Sequence, residues 1–321
     1  MPDSLENAAL RVGQSLNLGG LLIAAGGGIF LLAIWRSSVM STRWDSVEAR
    51  FMSGWRRMVL VAWIVAALGS IPLLIWTESQ GVEWPRLALL FGGGITGSFA
   101  TGRTGPARLF RTPRARRGDR NSDRVSAWPS VLAAVALFLL LLSAAMTGHA
   151  RSSPLPFPNL LVALVHVTAA AAWLGGLVAL VAVAFPAARD EEEAERPSLL
   201  VPLVARFSDL ALWAVVAIVA SGTYSAWIEI GWPRNVTAST YGLVFLAKLG
   251  AFLPALALGA VNNRWTKPRL WEAVRGNTSG SSALLILRRL VALEIALIAV
   301  ILALTAFLLQ LSPPTSRGSA P

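Results

Sequence analysis

Cysteine is absent from the 321 residues, which removes disulfides, thiolate metal sites, iron–sulfur clusters and cysteine nucleophiles from consideration, whatever compartment the chain faces. Charge is scarce too: 14% of residues are Asp, Glu, Lys or Arg, against 55% hydrophobic residues and a mean hydropathy of +0.60. A pair of soluble domains does not have that balance, and a bilayer as solvent does account for it. No Gly-rich loop of the P-loop kind occurs and no connection is long enough for a nucleotide domain, so direct use of ATP is not expected. Only two histidines are present, His149 and His166. The acids nearest them in sequence fall on the opposite face of the expected membrane, which argues against a Ser/His/Asp hydrolase. The expected function is not enzymatic.

What the sequence does have is long apolar runs. A helix crossing about 30 Å of hydrocarbon needs about 20 mostly apolar residues, because its backbone polar groups find no water there. Eight runs qualify, at 10–35, 58–76, 86–102, 128–148, 159–185, 207–229, 241–263 and 289–311. The third is short and carries Gly92, Gly93, Gly94 and Gly97, which lowers helix propensity but permits close helix contact. The start, MPDSLENAAL, lacks a basic leader and precedes a run too long for a signal-peptide core, so it reads as a retained first span.

Lys and Arg mark the orientation. Counting Arg11, Arg86 and Arg289 at span edges with the segments they border, those joining spans 1 and 2, 3 and 4, 5 and 6, and 7 and 8 hold 5, 8, 3 and 6 basic residues, while the termini and remaining loops hold one each. Short basic loops stay in the cytoplasm, so both termini are expected outside. The formal charge of +11 is then a topological signal, and no nucleic-acid partner is expected. Trp35, Trp76, Trp84, Trp128, Trp227, Trp232 and Trp265 lie near expected span ends, as in interfacial aromatic belts. The acidic group Asp190 to Glu193 with Glu195 reads as a solvated inner loop. An offset of 156 residues superimposes LGGL at Leu18 to Leu21 on LGGL at Leu174 to Leu177, and Ala49-Arg50-Phe51 on Ala205-Arg206-Phe207. That correspondence suggests a parallel repeat of four plus four spans about an axis along the membrane normal.

The ionisable groups within the spans are the functional candidates, because desolvation makes them expensive. His149 closes span 4 and His166 lies in span 5, both in the outer half. Met146 is three residues before His149 and shares its helix face. Two imidazoles and a thioether from neighbouring helices are a donor set suited to copper, since imidazole accepts either oxidation state and thioether favours Cu(I). The alternatives stay open: an interfacial His149, a His166 bonded to a backbone carbonyl, and a packing role for Met146. Lys248 in span 7, Glu229 near the outer end of span 6 and Glu294 in span 8 are further embedded charges, and Lys248 is expected to snorkel towards Glu229 as a structural ion pair. Arg206 and Asp209 are expected to pair or to face headgroups. Gly175 and Gly176 are expected at a helix contact.

From Gly148 to Pro314 the chain resembles the copper resistance protein D family. The words are GHA at Gly148 to Ala150, His166 followed by WLGGL at Trp173 to Leu177, RFSDLAL at Arg206 to Leu212, SGTYSA at Ser221 to Ala226, TYGLVFLAK at Thr240 to Lys248 and GAVNNR at Gly259 to Arg264, then Glu294 and SPP at Ser312 to Pro314. Their order and spacing carry the likeness. The first half resembles the family through LGGLLIAAGGGIF and the basic loop after it. The resemblance implies an all-α, multi-pass protein of the bacterial inner (plasma) membrane, with an N-terminal membrane region at 1–127, a family-like membrane domain at 128–314 and a tail at 315–321. It also implies copper binding, copper import from the periplasm, and His149 and His166 at the family's histidine positions. No fused soluble copper domain is present, so a separate periplasmic copper carrier is the expected partner besides the lipid bilayer. Two other readings compete: a b-type haem electron-transfer protein with the two histidines as axial ligands, and a non-transporting scaffold for a copper carrier.

Overall fold

The computed structural model describes residues 2–35, 47–76, 88–94, 128–146, 156–193, 195–276 and 280–317. All regular structure among them is helical. Helix α1 is Pro2–Phe30, ending in a π-helical turn, Leu31–Trp35, and α2 is Glu48–Trp76. Helix α3 covers 88–94, and α4 is Trp128–Ala145. Helix α5 is Pro156–Ala179, carried on by a π-helical turn, Leu180–Ala184, and by Phe185–Ala187. Helix α6 is Arg196–Ile230, α7 the short Arg234–Ala238, and α8 Thr240–Val261. A third π-helical turn, Asn262–Thr266, links α8 to α9, Lys267–Arg275, and α10 is Ser281–Leu308.

Six helical stretches are long and apolar enough to cross a membrane, and Leu132–Ala145 is a shorter apolar helix. The protein is a multi-pass membrane protein. Residues 95–102 and 147–148, which belong to the expected third and fourth spans, lie outside the described residues, as does the basic segment 103–124. Several helices start well before their apolar runs, most of all α2 at Glu48, not 58, and α6 at Arg196, not 207. Arg50, Arg56, Arg57 and Arg206 keep these first turns out of an apolar window, yet arginine is a good helix former, so the helices continue beyond it.

Inside a bilayer the hydrophobic effect does not pull helices together, and close van der Waals packing has to do so. The sequence supplies glycine where backbones meet. Helices α1 and α5 touch at Gly26 and Gly175: a Cβ added to Gly26 would fall 1.9 Å from the Ala171 carbonyl oxygen, and one on Gly175 2.5 Å from Gly26 Cα. Gly13, Gly20 and Gly27, seven apart on α1, face α2 at Gly69, Ala62 and Met58. Asn17 reinforces that seam by donating to the Ala66 carbonyl at 2.8 Å, and Trp55 donates to the Gly27 carbonyl at 2.8 Å. Gly176 makes room for the Phe207 ring of α6, which an added Cβ would meet at 2.2 Å. Gly175 and Gly176 are therefore contact residues on adjoining faces of α5, one towards α1 and one towards α6.

Trp35 is not interfacial. It is 4% exposed and stacks on Phe51 with ring centroids 3.4 Å apart. Trp227, Trp232 and Trp265, at 65–71% exposure, do match the expected belt. The acidic segment after α5 is anchored as well as solvated: Arg50 of α2 pairs with Glu191 and lies 3.6 Å from Asp190. Asp209 pairs with Lys267 at 3.6 Å, and no ion pair joins it to Arg206 among the described residues.

Candidate functional site

Three polar side chains stand seven residues apart on α5: Asn159, His166 and Trp173. Seven residues are close to two helical turns, so the three share one face at levels about 10 Å apart along the axis. Each meets a polar partner on another helix. The Tyr224 hydroxyl of α6 donates to Asn159 Oδ1 at 3.0 Å. His166 Nδ1 lies 2.9 Å from Ser221 Oγ, also on α6. The Trp173 indole N–H donates to Glu294 Oε1 of α10 at 2.7 Å. Asn159, Ser221, Trp173 and Glu294 are all buried, and a buried polar group without such a partner would cost stability.

The middle level defines the state of the imidazole. Ser221 has one hydroxyl proton and gives it to the Ala217 carbonyl one turn back. With its proton so directed, Ser221 accepts from Nδ1–H, and that tautomer leaves Nε2 with its lone pair. An imidazole fixed in this way by a bond to its other nitrogen is the usual arrangement of a metal-ligating histidine. Gly222 leaves the ring edge uncrowded, since an added Cβ would be 3.5 Å from His166 Cε1.

Two charges flank this level. The Lys248 ammonium on α8 is within electrostatic reach of His166 and of Glu229. The expected ion pair between Lys248 and Glu229 is not formed among the described residues. Glu229 instead accepts the hydroxyl proton of Tyr241, at the start of α8, while its backbone carbonyl accepts from Thr315. A tyrosine one residue into α8 reaches the end of α6 directly; a lysine two turns further along does not.

The third level is tightly enclosed. Glu294 is 3% exposed. Gly259 of α8 backs its carboxyl, with an added Cβ 3.5 Å from Oε1, and the Trp173 ring meets Phe252 edge to face at 5.9 Å. One turn beyond Gly259, Asn262 Oδ1 is buried and has no hydrogen-bond partner among the described residues.

Of the residues singled out in the sequence, His166, Lys248 and Glu294 border this polar stripe, and Glu229 lies towards its Asn159 end. Met146 is half-buried in the turn that closes α4, where its backbone N–H bonds the Leu142 carbonyl. His149 lies outside the described residues. No cluster of three or more His, Asp or Glu side chains gathers among the described residues. Asn159, Trp173, Ser221 and Tyr224 were not anticipated as site residues. Their signal is the seven-residue spacing on α5, matched by a three-residue spacing on α6.

The copper resistance protein D family model matches residues 201–308, which takes in nearly all of α6 and the whole of α7 to α10. Copper transport protein CutJ of Bacillus subtilis (strain 168) is 34% identical over 125 residues, which are 39% of this chain and 22% of that protein's length. The match thus spans about a fifth of the relative. No solved structure matches the chain. Ser221, Tyr224, Lys248, Asn262 and Glu294 fall inside the family segment, whereas Asn159, His166 and Trp173 come from the helix before it. The protein is a multi-pass membrane protein whose residues 201–308 match the copper resistance protein D family.

Proposed function

We propose that the protein is a carrier that takes copper from the periplasmic face of a bacterial inner membrane and moves it inward along the polar face of α5. The observation that carries this reading is the stacking of three partnered polar levels on one helix, since a cation leaving water needs replacement donors at each stage of its passage. His166 Nε2 is the first nitrogen donor, with its proton state set by Ser221. His149 and Met146, which end the preceding helix, are the sequence's candidates for completing the coordination. Lys248 repels a bound cation and keeps its stay short, as passage requires. Glu294 provides the next oxygen donor, and the Asn262 side-chain carbonyl a further one. A separate periplasmic carrier protein delivers the ion, and the chain performs no bond chemistry.

Copper flux into proteoliposomes tests the reading. His166→Ala is expected to abolish both copper binding and uptake; Glu294→Gln, which retains an acceptor for Trp173, is expected to leave binding intact and slow uptake. Unchanged uptake and unchanged binding in His166→Ala overturn the assignment. Binding without flux in the unaltered protein would identify a scaffold instead.

A further inference from the structure

At the arginine-rich end of the bundle, the end of α5, the start of α6 and the start of α10 enclose a cavity of about 300 Å³. Its polar wall holds three guanidinium groups, Arg189, Arg196 and Arg288, and one carboxylate, Glu193. Glu193 is already engaged at 3.9 Å by Arg196, whose Nε also donates to the Glu191 carbonyl. Arg189 and Arg288 have no ion pair or side-chain hydrogen bond among the described residues, and both are exposed. The remaining wall is apolar, formed chiefly by Leu200, Leu284 and Leu285, of which Leu285 is 57% exposed. Unpaired cations therefore sit directly above an apolar surface at the level where a membrane-crossing helix leaves the bilayer.

We propose that this cavity binds one anionic phospholipid, with its phosphate between Arg189 and Arg288 and an acyl chain along Leu284 and Leu285. A guanidinium fork matches phosphate oxygens in pairs. Basic pockets between helices at the cytoplasmic surface are suited to such headgroups, because the inner leaflet is the anionic one. A soluble anion would satisfy the arginines but leave the leucine wall uncovered, so the mixed lining selects a lipid. The bound lipid ties the α5–α6 connection to the start of α10. This inference does not depend on copper transport.

The test uses the full chain in detergent, with native mass spectrometry and thermal melting in the presence of phosphatidylglycerol, phosphatidylcholine or inorganic phosphate. Phosphatidylglycerol is expected to be retained and to raise the melting temperature. The double variant Arg189→Gln/Arg288→Gln should bind it about thirtyfold more weakly, as expected for two interfacial charges. Arg56→Gln, an exposed arginine of α2 outside the cavity, should bind it normally. Equal retention of phosphatidylcholine, undiminished phosphatidylglycerol binding by the double variant, or equal protection by inorganic phosphate alone would each overturn the proposal.

Discussion

Residues seven apart on α1 are Gly13, Gly20 and Gly27; on α5 they are Asn159, His166 and Trp173. Both helices lie at the centre of the molecule, both carry the word LGGL, and each packs on the long helix that follows it. At the 156-residue offset Trp173 corresponds to Asn17 and His166 to Leu10. The glycine seam of α1 closes on α2 with backbone against backbone. The stripe of Asn159, His166 and Trp173 on α5 instead holds side chains that reach partners on α6 and α10. The glycine stripe of α1 thus serves as a clamp, whereas this stripe of α5 presents polar groups. The family match takes in α6 and α10, the two helices that supply the partners of α5's polar stripe.

The largest expected effect comes from breaking the contact between these two helices. Gly175→Val would drive a branched side chain into the Gly26 backbone; overpacking of this kind costs about 3 kcal/mol or more where backbone cannot move. Size-exclusion profiles should show aggregated protein, and a monodisperse variant with an unchanged melting temperature would refute the crossing. Next in size is Trp173→Phe, which removes the donor to Glu294. It should lose about 1–3 kcal/mol of stability, as for a buried acceptor left unsatisfied, and copper flux should fall with it. Ser221→Ala is more selective: copper affinity, measured by competition with a chelator, should drop about tenfold because the imidazole loses the partner that orients it, with a stability loss of about 1–2 kcal/mol from the lost hydrogen bond. Smallest is Asn17→Leu in the first half, expected to cost about 1 kcal/mol from its lost hydrogen bond and to leave copper uptake unchanged. An uptake defect there would erase the distinction between the two halves.

The all-helical fold and most of the spans were legible because apolar runs of sufficient length have few alternatives in lipid. His166 and Glu294 stood out for a similar reason, as ionisable groups in runs that otherwise avoid them. Their partners did not. Trp173 and Tyr224 stood in the sequence only as letters of WLGGL and SGTYSA, and only the meeting of α5 with α6 and α10 shows what their polar atoms bond. Glu229 was matched by charge to Lys248, but a hydroxyl at the start of the same helix reaches it first. Trp35 looked interfacial from its position at a span end, yet the π-helical turn that contains it directs the ring onto Phe51. Gly175 and Gly176 were recognised as contact residues, and one position of difference along the helix sends them to different neighbours.

The spacing of Asn159, His166 and Trp173 has a kinetic consequence. Metal–ligand bonds are about 2 Å long, whereas neighbouring levels are separated by about 10 Å of helix, so no single ion can be shared between two of them. On the proposed transport role, occupancy changes in discrete hops, each with a complete exchange of donors, and throughput is that of a relay rather than of an open pore.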